Sequence, residues 1–255
     1  MPLTTKDVTT QNPASLTKNP ALFSRLSEQT LQMLLQNSIE KHIAINSILI
    51  QQGDIPKFIF YILEGTLKTL RSNEDGHEAT IRMLQSGETC MESVIFMGGT
   101  SPITVQSTSD SKILMIPANI IKTLALQDSQ FAYNLLQIVT YHYKSAIQQI
   151  DAMSNKSPLQ RVGYYFLTKH LEQGHTNLDF YLPFKKSTIA NFLGMTPETF
   201  SRTLAKMKDM GIDMEEEKIQ MKDAFSLCHF CDSDTQSICE NHNKSNCPNC
   251  PINKH

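Results

Sequence analysis

The chain has 255 residues, 40% hydrophobic and 19% charged, with a formal net charge of −2. That length accommodates two ordinary domains, and the composition excludes a disordered or fibrous protein. No apolar run approaches the roughly 18 residues that cross a bilayer (IFYIL at 59–63 is typical), so no membrane partner is expected.

Residues 1–17 form a polar, Pro/Thr-rich lead without a secretory-type apolar stretch, so a cytoplasmic location is expected. In PALFSRLSEQTLQMLLQN (20–37), Leu22, Leu26, Leu31, Leu34 and Leu35 fall near helical spacing, which predicts one or two short helices. From about 39 to 117 the texture becomes short apolar runs separated by turn residues, among them SILIQQGD, KFIFYILEGTLKTLR and SKILMIPAN. This pattern predicts an all-β barrel or roll within a domain spanning 18–119. The NEDG stretch at 73–76 carries the Asp-Gly pair of a tight hairpin.

Residues 120–154 contain neither glycine nor proline. Phe131, Leu135, Ile138, His142, Ala146, Ile150 and Met153 recur at steps of three and four, which predicts one long amphipathic helix. A seam of that length calls for a second helix, and a symmetric homodimer supplies one. SNKSPLQ (154–160) reads as a hinge, and RVGYYFLTKHLE after it as a helix.

The net charge alone argues against a nucleic-acid partner, but its distribution argues for one. Residues 156–212 hold eight Lys/Arg against four Asp/Glu, whereas 213–255 reverse the sign. Inside that basic stretch, STIANFLGMTPETFSRTLAKMKDMGI (187–212) predicts a helix-turn-helix within a domain spanning 155–226. Ser187 is the expected cap of a first helix ended by Gly194. Thr196 is the expected cap of a second, with Pro197 in its first turn and Gly211 at its end.

On the second helix Phe200, Leu204 and Met207 form a stripe to be buried. Glu198, Ser201, Arg202 and Ala205 fall together on the other face. Arg202 can grip guanine O6 and N7, Glu198 can accept from a cytosine amino group, and Ser201 can reach a neighbouring base edge. Lys185, Lys186, Thr196, Lys206 and Lys208 are the expected phosphate contacts, adding affinity with little discrimination. The bland alternative is a helical hairpin with a solvated charged face. Enzyme chemistry has no support: the sequence shows no nucleophile–base pair, no Gly-rich phosphate loop and no HExxH.

Over residues 18–227 the chain resembles the Crp/Fnr family of transcription regulators. The resemblance rests on GDIPKFIFYILEGTLKTLRSNEDGHEATIRMLQSGE, on GETCMESVIF, on the long helix and on PETFSR. It implies an α+β fold: a cyclic-nucleotide-binding-like effector β-roll (18–119), a dimerisation helix (120–154), a winged helix-turn-helix (155–226) and a Cys-rich tail (227–255). Glu198, Ser201 and Arg202 are similar to the FNR/DNR branch, which implies a palindromic TTGA-type site and RNA polymerase as a further candidate partner. The chain also departs from the family. Cyclic-AMP-responsive members carry a Gly-Glu-Leu cradle followed by an Arg-Ser pair. Here the corresponding segments read Met91-Glu92-Ser93 and Ser101-Pro102-Ile103-Thr104. With no arginine in that later segment, cyclic AMP is not the expected effector. Glu215, Glu216 and Glu217 make the wing too acidic for close contact with DNA.

The tail concentrates Cys228, Cys231, Cys239, Cys247 and Cys250 in 23 residues, after 227 residues with one cysteine, Cys90. Without Cys239 the spacing is C-x2-C-x15-C-x2-C, which suits structural zinc; proline after Cys247 and Cys250 is shared with iron–sulfur loops. Four thiolates satisfy either centre. Because the roll has lost its nucleotide chemistry, an iron–sulfur cluster sensing oxygen or nitric oxide is the favoured expectation, with zinc as alternative and an unmetallated tail as a third reading. Haem, as in the DNR branch, is a further alternative with His42 or His77 as axial ligand. His229, His242 and His255 read as exposed tail histidines, and Cys90 as a small buried residue. A competing class is a metal-carrier or electron-transfer protein centred on the tail, which would have no use for Glu198, Ser201 and Arg202.

Overall fold

A computed structural model of the chain describes residues 22–173, 178–223 and 226–231. The described residues fall into two compact units, divided between Gln148 and Gln149.

In the first unit, Ser27 accepts the Thr30 N–H at 3.1 Å and starts α1 (Glu28–Asn37), which buries Leu31 and Leu34. Eight strands follow: β1 (Ile39–Ile43), β2 (Ile48–Ile50), β3 (Phe58–Glu64), β4 (Thr66–Ser72), β5 (Glu78–Gln85), β6 (Thr89–Cys90), β7 (Thr104–Ser107) and β8 (Ser111–Pro117). A short helix, α2 (Glu92–Met97), lies between β6 and β7. The strands make two antiparallel four-stranded sheets, ordered β1-β8-β3-β6 and β2-β7-β4-β5. In β3 the run Ile59–Ile62 is buried throughout, as a central strand requires, and Leu67, Leu84, Ile113 and Ile116 complete the core. The NEDG turn joins β4 to β5: the Gly76 N–H donates to the Asn73 carbonyl (3.1 Å) and the His77 N–H to Asn73 Oδ1 (2.8 Å).

The uninterrupted helix expected over 120–154 is divided. Helix α3 (Ala118–Gln127) stops at Asp128, whose φ/ψ of −124°/109° is extended, and α4 (Ser129–Asn155) starts after it. Asp128 Oδ1 accepts the Phe131 N–H at 2.9 Å, so the aspartate caps α4 and removes the need for glycine or proline at the break. Its other oxygen takes the Thr30 hydroxyl.

The expected seam residues also need correction. Phe131, Leu135 and Ile138 are buried in the core of their own unit, and His142 is largely covered there. One face of α4 packs on the roll, so these side chains are already used within the chain. Ala146, Ile150 and Met153 are exposed. A second apolar set on the same helix, Tyr133, Leu136, Tyr143 and Ile147, is exposed as well.

In the second unit, α5 (Pro158–Glu172) opens on a capping box. Ser157 Oγ accepts the Gln160 N–H, and Gln160 Oε1 accepts the Ser157 N–H. Strand β9 (Asp179–Tyr181), helices α6 (Lys186–Phe192) and α7 (Pro197–Asp209), and strands β10 (Ile212–Glu215) and β11 (Lys218–Met221) follow. The three strands form an antiparallel sheet ordered β10-β11-β9. Phe166, Phe180, Phe184, Ile189, Phe200, Met207 and Ile219 are buried in this unit.

Candidate nucleic-acid interface

Helices α6 and α7 meet through a glycine-dependent turn. The Gly194 N–H donates to the Asn191 carbonyl (3.0 Å) and the Met195 N–H to the Ala190 carbonyl (2.9 Å), with Gly194 at φ +64°. This is a Schellman closure, and the left-handed residue it needs is the one glycine supplies without strain. Arg161 of α5 donates from Nη1 to the Leu193 carbonyl at 2.9 Å and fixes the turn from beneath. The first helix begins at Lys185, which provides no side-chain cap, so the expected Ser187 cap is corrected: Ser187 lies inside α6. Thr196 does cap α7, accepting the Thr199 N–H at 3.2 Å, and Pro197 occupies the first turn.

Helix α7 separates its faces as the sequence predicts. Phe200 and Met207 are buried and Leu204 is half-buried; Thr203 joins that side, donating its hydroxyl to the Thr199 carbonyl at 2.8 Å. Glu198, Ser201, Arg202 and Ala205 are exposed. The Glu198 carboxyl is held below the ordinary carboxylate range, chiefly by its own backbone N–H, then by the Thr196 hydroxyl and by the nearby Arg202 charge. It is therefore ionised and able to accept hydrogen bonds. The Arg202 guanidinium meets Thr199 Oγ1 at 3.5 Å.

The lysines divide. Lys185 and Lys206 are exposed. Lys186 donates from Nζ to the Met214 carbonyl at 2.8 Å, and Lys208 pairs with Asp213 at 2.5 Å. Both therefore tie the helix-turn-helix to β10, an internal duty that sequence spacing did not signal. The wing turn is acidic, with Glu215, Glu216 and Glu217 all exposed and Glu216 at φ +51°.

Residues 160–230 match the family model of the Crp-like helix-turn-helix domain, and residues 40–128 that of the cyclic nucleotide-binding domain. The chain belongs to the Crp/Fnr family. Its members are transcription regulators and not enzymes, and this chain is a DNA-binding transcription regulator. It is 27% identical over 192 residues to an "Anaerobic regulatory protein" of Pasteurella multocida, covering 73% of this chain and 70% of that one. It is 22% identical over 188 residues to "Transcriptional activator protein FnrA" of Stutzerimonas stutzeri, covering 71% and 75%. The fold matches the structure of FixK2 from Bradyrhizobium japonicum at a TM-score of 0.69, with 16% identity and coverage of 77% and 98%. Relatives of this kind support duplex DNA as partner and a dimeric assembly.

The effector roll of this Crp/Fnr chain holds a buried polar cluster that the sequence did not reveal. At the cradle position, Met91 adopts a left-handed backbone (φ +82°) ahead of α2, and the Glu92 side chain is almost wholly buried. Arg82 of β5 donates from Nη2 to His142 Nε2 at 2.7 Å and to the Thr89 carbonyl at 3.3 Å. His142 Nδ1 stands 3.8 Å from Glu92 Oε2, beyond hydrogen-bond range. Burial, reinforced by the Arg82 charge, pushes the His142 pKa down to about 3, so the imidazole is neutral and this contact is not an ion pair. Burial pushes the Glu92 carboxyl up, with Arg82 opposing. Among the described residues, Glu92 Oε1 has no hydrogen-bond partner. Ser101 is buried and donates its hydroxyl to the Ile103 carbonyl. Cys90 is fully buried, and burial raises its thiol pKa, which makes it a poor nucleophile. His42 and His77, the candidate haem ligands, are exposed rather than enclosed by the roll.

The first two tail cysteines belong to the helix-turn-helix unit. Cys228–Phe230 forms a single 3-10 turn, with the Cys231 N–H donating to the Cys228 carbonyl at 3.1 Å. Leu227 is 1% exposed, and the Phe230 ring lies against Gly163 of α5, where a Cβ would come within 2.2 Å of it. The Cys-x2-Cys pair is thus seated on α5 by its flanking apolar residues, and both cysteines are half-buried. Among the described residues no group of three or more His, Cys, Asp or Glu side chains is gathered for a metal. Cys239, Cys247, Cys250, His242 and His255 lie outside the described residues, as does the lead 1–17.

Proposed function

We propose that this regulator binds a palindromic duplex with TTGA-type half-sites as a homodimer. Glu198, Ser201 and Arg202 read base edges, and Lys185 and Lys206 contact phosphates. The observation that carries this reading is the joint exposure of those three readout groups on α7, opposite a stripe anchored by Phe200 and Met207. Lys186 and Lys208 contribute field more than direct contact, because their amines are engaged by β10. The acidic wing keeps contact centred on α7.

The dimer seam is the exposed stripe of α4. Tyr133, Leu136, Tyr143, Ile147 and Ile150, with Thr140 at the intervening step, follow the alternating three- and four-residue spacing of a two-helix seam. The domain limits we assign are 18–119 for the effector roll, 120–154 for the helical connector, 155–226 for the winged helix-turn-helix and 227–255 for the tail.

For the signal, we assign a thiolate-held centre on the tail that responds to oxygen or nitric oxide, with iron–sulfur ahead of zinc. Two of its donors, Cys228 and Cys231, are presented by one turn, which fits thiolate ligation, and the remaining donors would come from Cys239, Cys247 and Cys250. Such a cluster would supply a redox-labile bond between the tail and the α5 surface. A duplex-binding assay on a TTGA palindrome against a scrambled duplex tests the DNA reading. Anaerobic purification with iron, sulfide and zinc analysis tests the centre. Equal affinity for the two duplexes refutes the first reading, and stoichiometric zinc without iron refutes the iron–sulfur assignment.

A further inference from the structure

The polar cluster of the roll joins three elements. Arg82 comes from β5, the Thr89 carbonyl and Glu92 from the β6–α2 corner, and His142 from α4. Glu92 is buried, and Arg82 is the cation that acts on it. The imidazole across from it is neutral and accepts at Nε2, so its role is that of an acceptor for the guanidinium. One arginine thus opposes the upward push of burial on the Glu92 carboxyl and ties α4 to the corner by a charge-assisted hydrogen bond.

We propose that Arg82 is a positioning residue for dimer assembly: by holding His142 from inside the roll, it fixes where α4 presents its exposed stripe. Tyr143 follows His142 directly and Leu136 lies on the same exposed stripe, so a shift of the helix at His142 moves the stripe with it. This inference rests on the assignment of that stripe as the seam.

The test separates positioning from neutralisation of a buried charge. Dimer dissociation constants are measured by analytical ultracentrifugation at 20 °C, with circular dichroism confirming the fold. The variants are Arg82→Met, Glu92→Gln, their combination, His142→Leu and His142→Gln. We expect Arg82→Met and His142→Leu each to weaken the dimer at least tenfold. His142→Gln, which retains an acceptor for Arg82, should stay within about threefold of the wild type. In the combined variant, Glu92→Gln should recover the melting temperature lost with Arg82→Met but leave the dimer weak. Recovery of both would overturn the proposal, reducing Arg82 to a counter-charge. If Arg82→Met does not fold, the two His142 variants decide: equal dimer affinities for Leu and Gln overturn the proposal. A dimeric wild type with unaltered affinity in Arg82→Met refutes this inference alone, whereas a monomeric wild type refutes the seam assignment and this inference with it.

Discussion

The neutral, enclosed His142 makes the effector roll acid-sensitive in a calculable way. Its ordinary pKa is 6.5 and its folded value about 3, so between these limits the unfolded chain binds a proton that the folded chain refuses. Stability therefore rises with pH across that window, and is lost as pH falls from about 6.5 towards 3. At about 1.4 kcal/mol per unit, lowering the pH from 7.5 to 5.0 costs about 2 kcal/mol, and lowering it to 3 costs about 4 kcal/mol. Glu92 acts in the opposite sense: its raised pKa destabilises the fold as pH rises from the ordinary carboxylate range through the folded value. Comparing wild type with His142→Gln removes the common terms. Urea unfolding of the effector roll at pH 7.5 and 5.0 should show the wild type losing about 2 kcal/mol more than the variant, a shift of roughly 5–10 °C if read as melting temperature. Parallel losses in the two proteins would refute a neutral buried histidine.

Other expectations concern the second unit. Thr196→Ala removes the cap of α7 and should cost about 1 kcal/mol of that unit's stability, measured by thermal unfolding. Lys185→Ala should weaken binding evenly across duplex sequences and reduce the slope of log affinity against log salt by about 0.9, read from titrations at several salt concentrations. Gly163→Ala places a methyl where Phe230 lies, so it should lower stability by about 1–3 kcal/mol. The same variant should raise the alkylation rate of Cys228 and Cys231 as the turn lifts from α5; an unchanged rate would show that the turn is held by other contacts.

Much of this molecule is legible in the sequence because local chemistry and global packing agree there. The NEDG hairpin, the Thr196 cap, the Gly194 turn and the divided faces of α7 each follow from one residue type placed where its geometry is needed. Elsewhere, local signals underdetermine the result. Asp128 ends one helix and caps the next without a glycine or proline, so periodicity runs through the break. Helix α4 carries two apolar stripes, and sequence spacing cannot tell which one its own roll consumes. Arg82 reads as one polar residue of a strand, and its link to His142, 60 residues away, arises only from the packing of the roll. Lys186 and Lys208 read as phosphate contacts until β10 supplies the Met214 carbonyl and Asp213.

Sequence preference, more than affinity, is where the account is most exposed. Equilibrium binding of wild type and Arg202→Ala to a TTGA palindrome, and to variants with each half-site base replaced in turn, measures it directly. We expect the wild type to penalise replacement of the guanine by about 1–3 kcal/mol, roughly 5- to 150-fold, and Arg202→Ala to lose that penalty while keeping those at other positions. A uniform drop in affinity for every duplex on losing the Arg202 guanidinium would contradict the assignment of α7 as the reader of base edges.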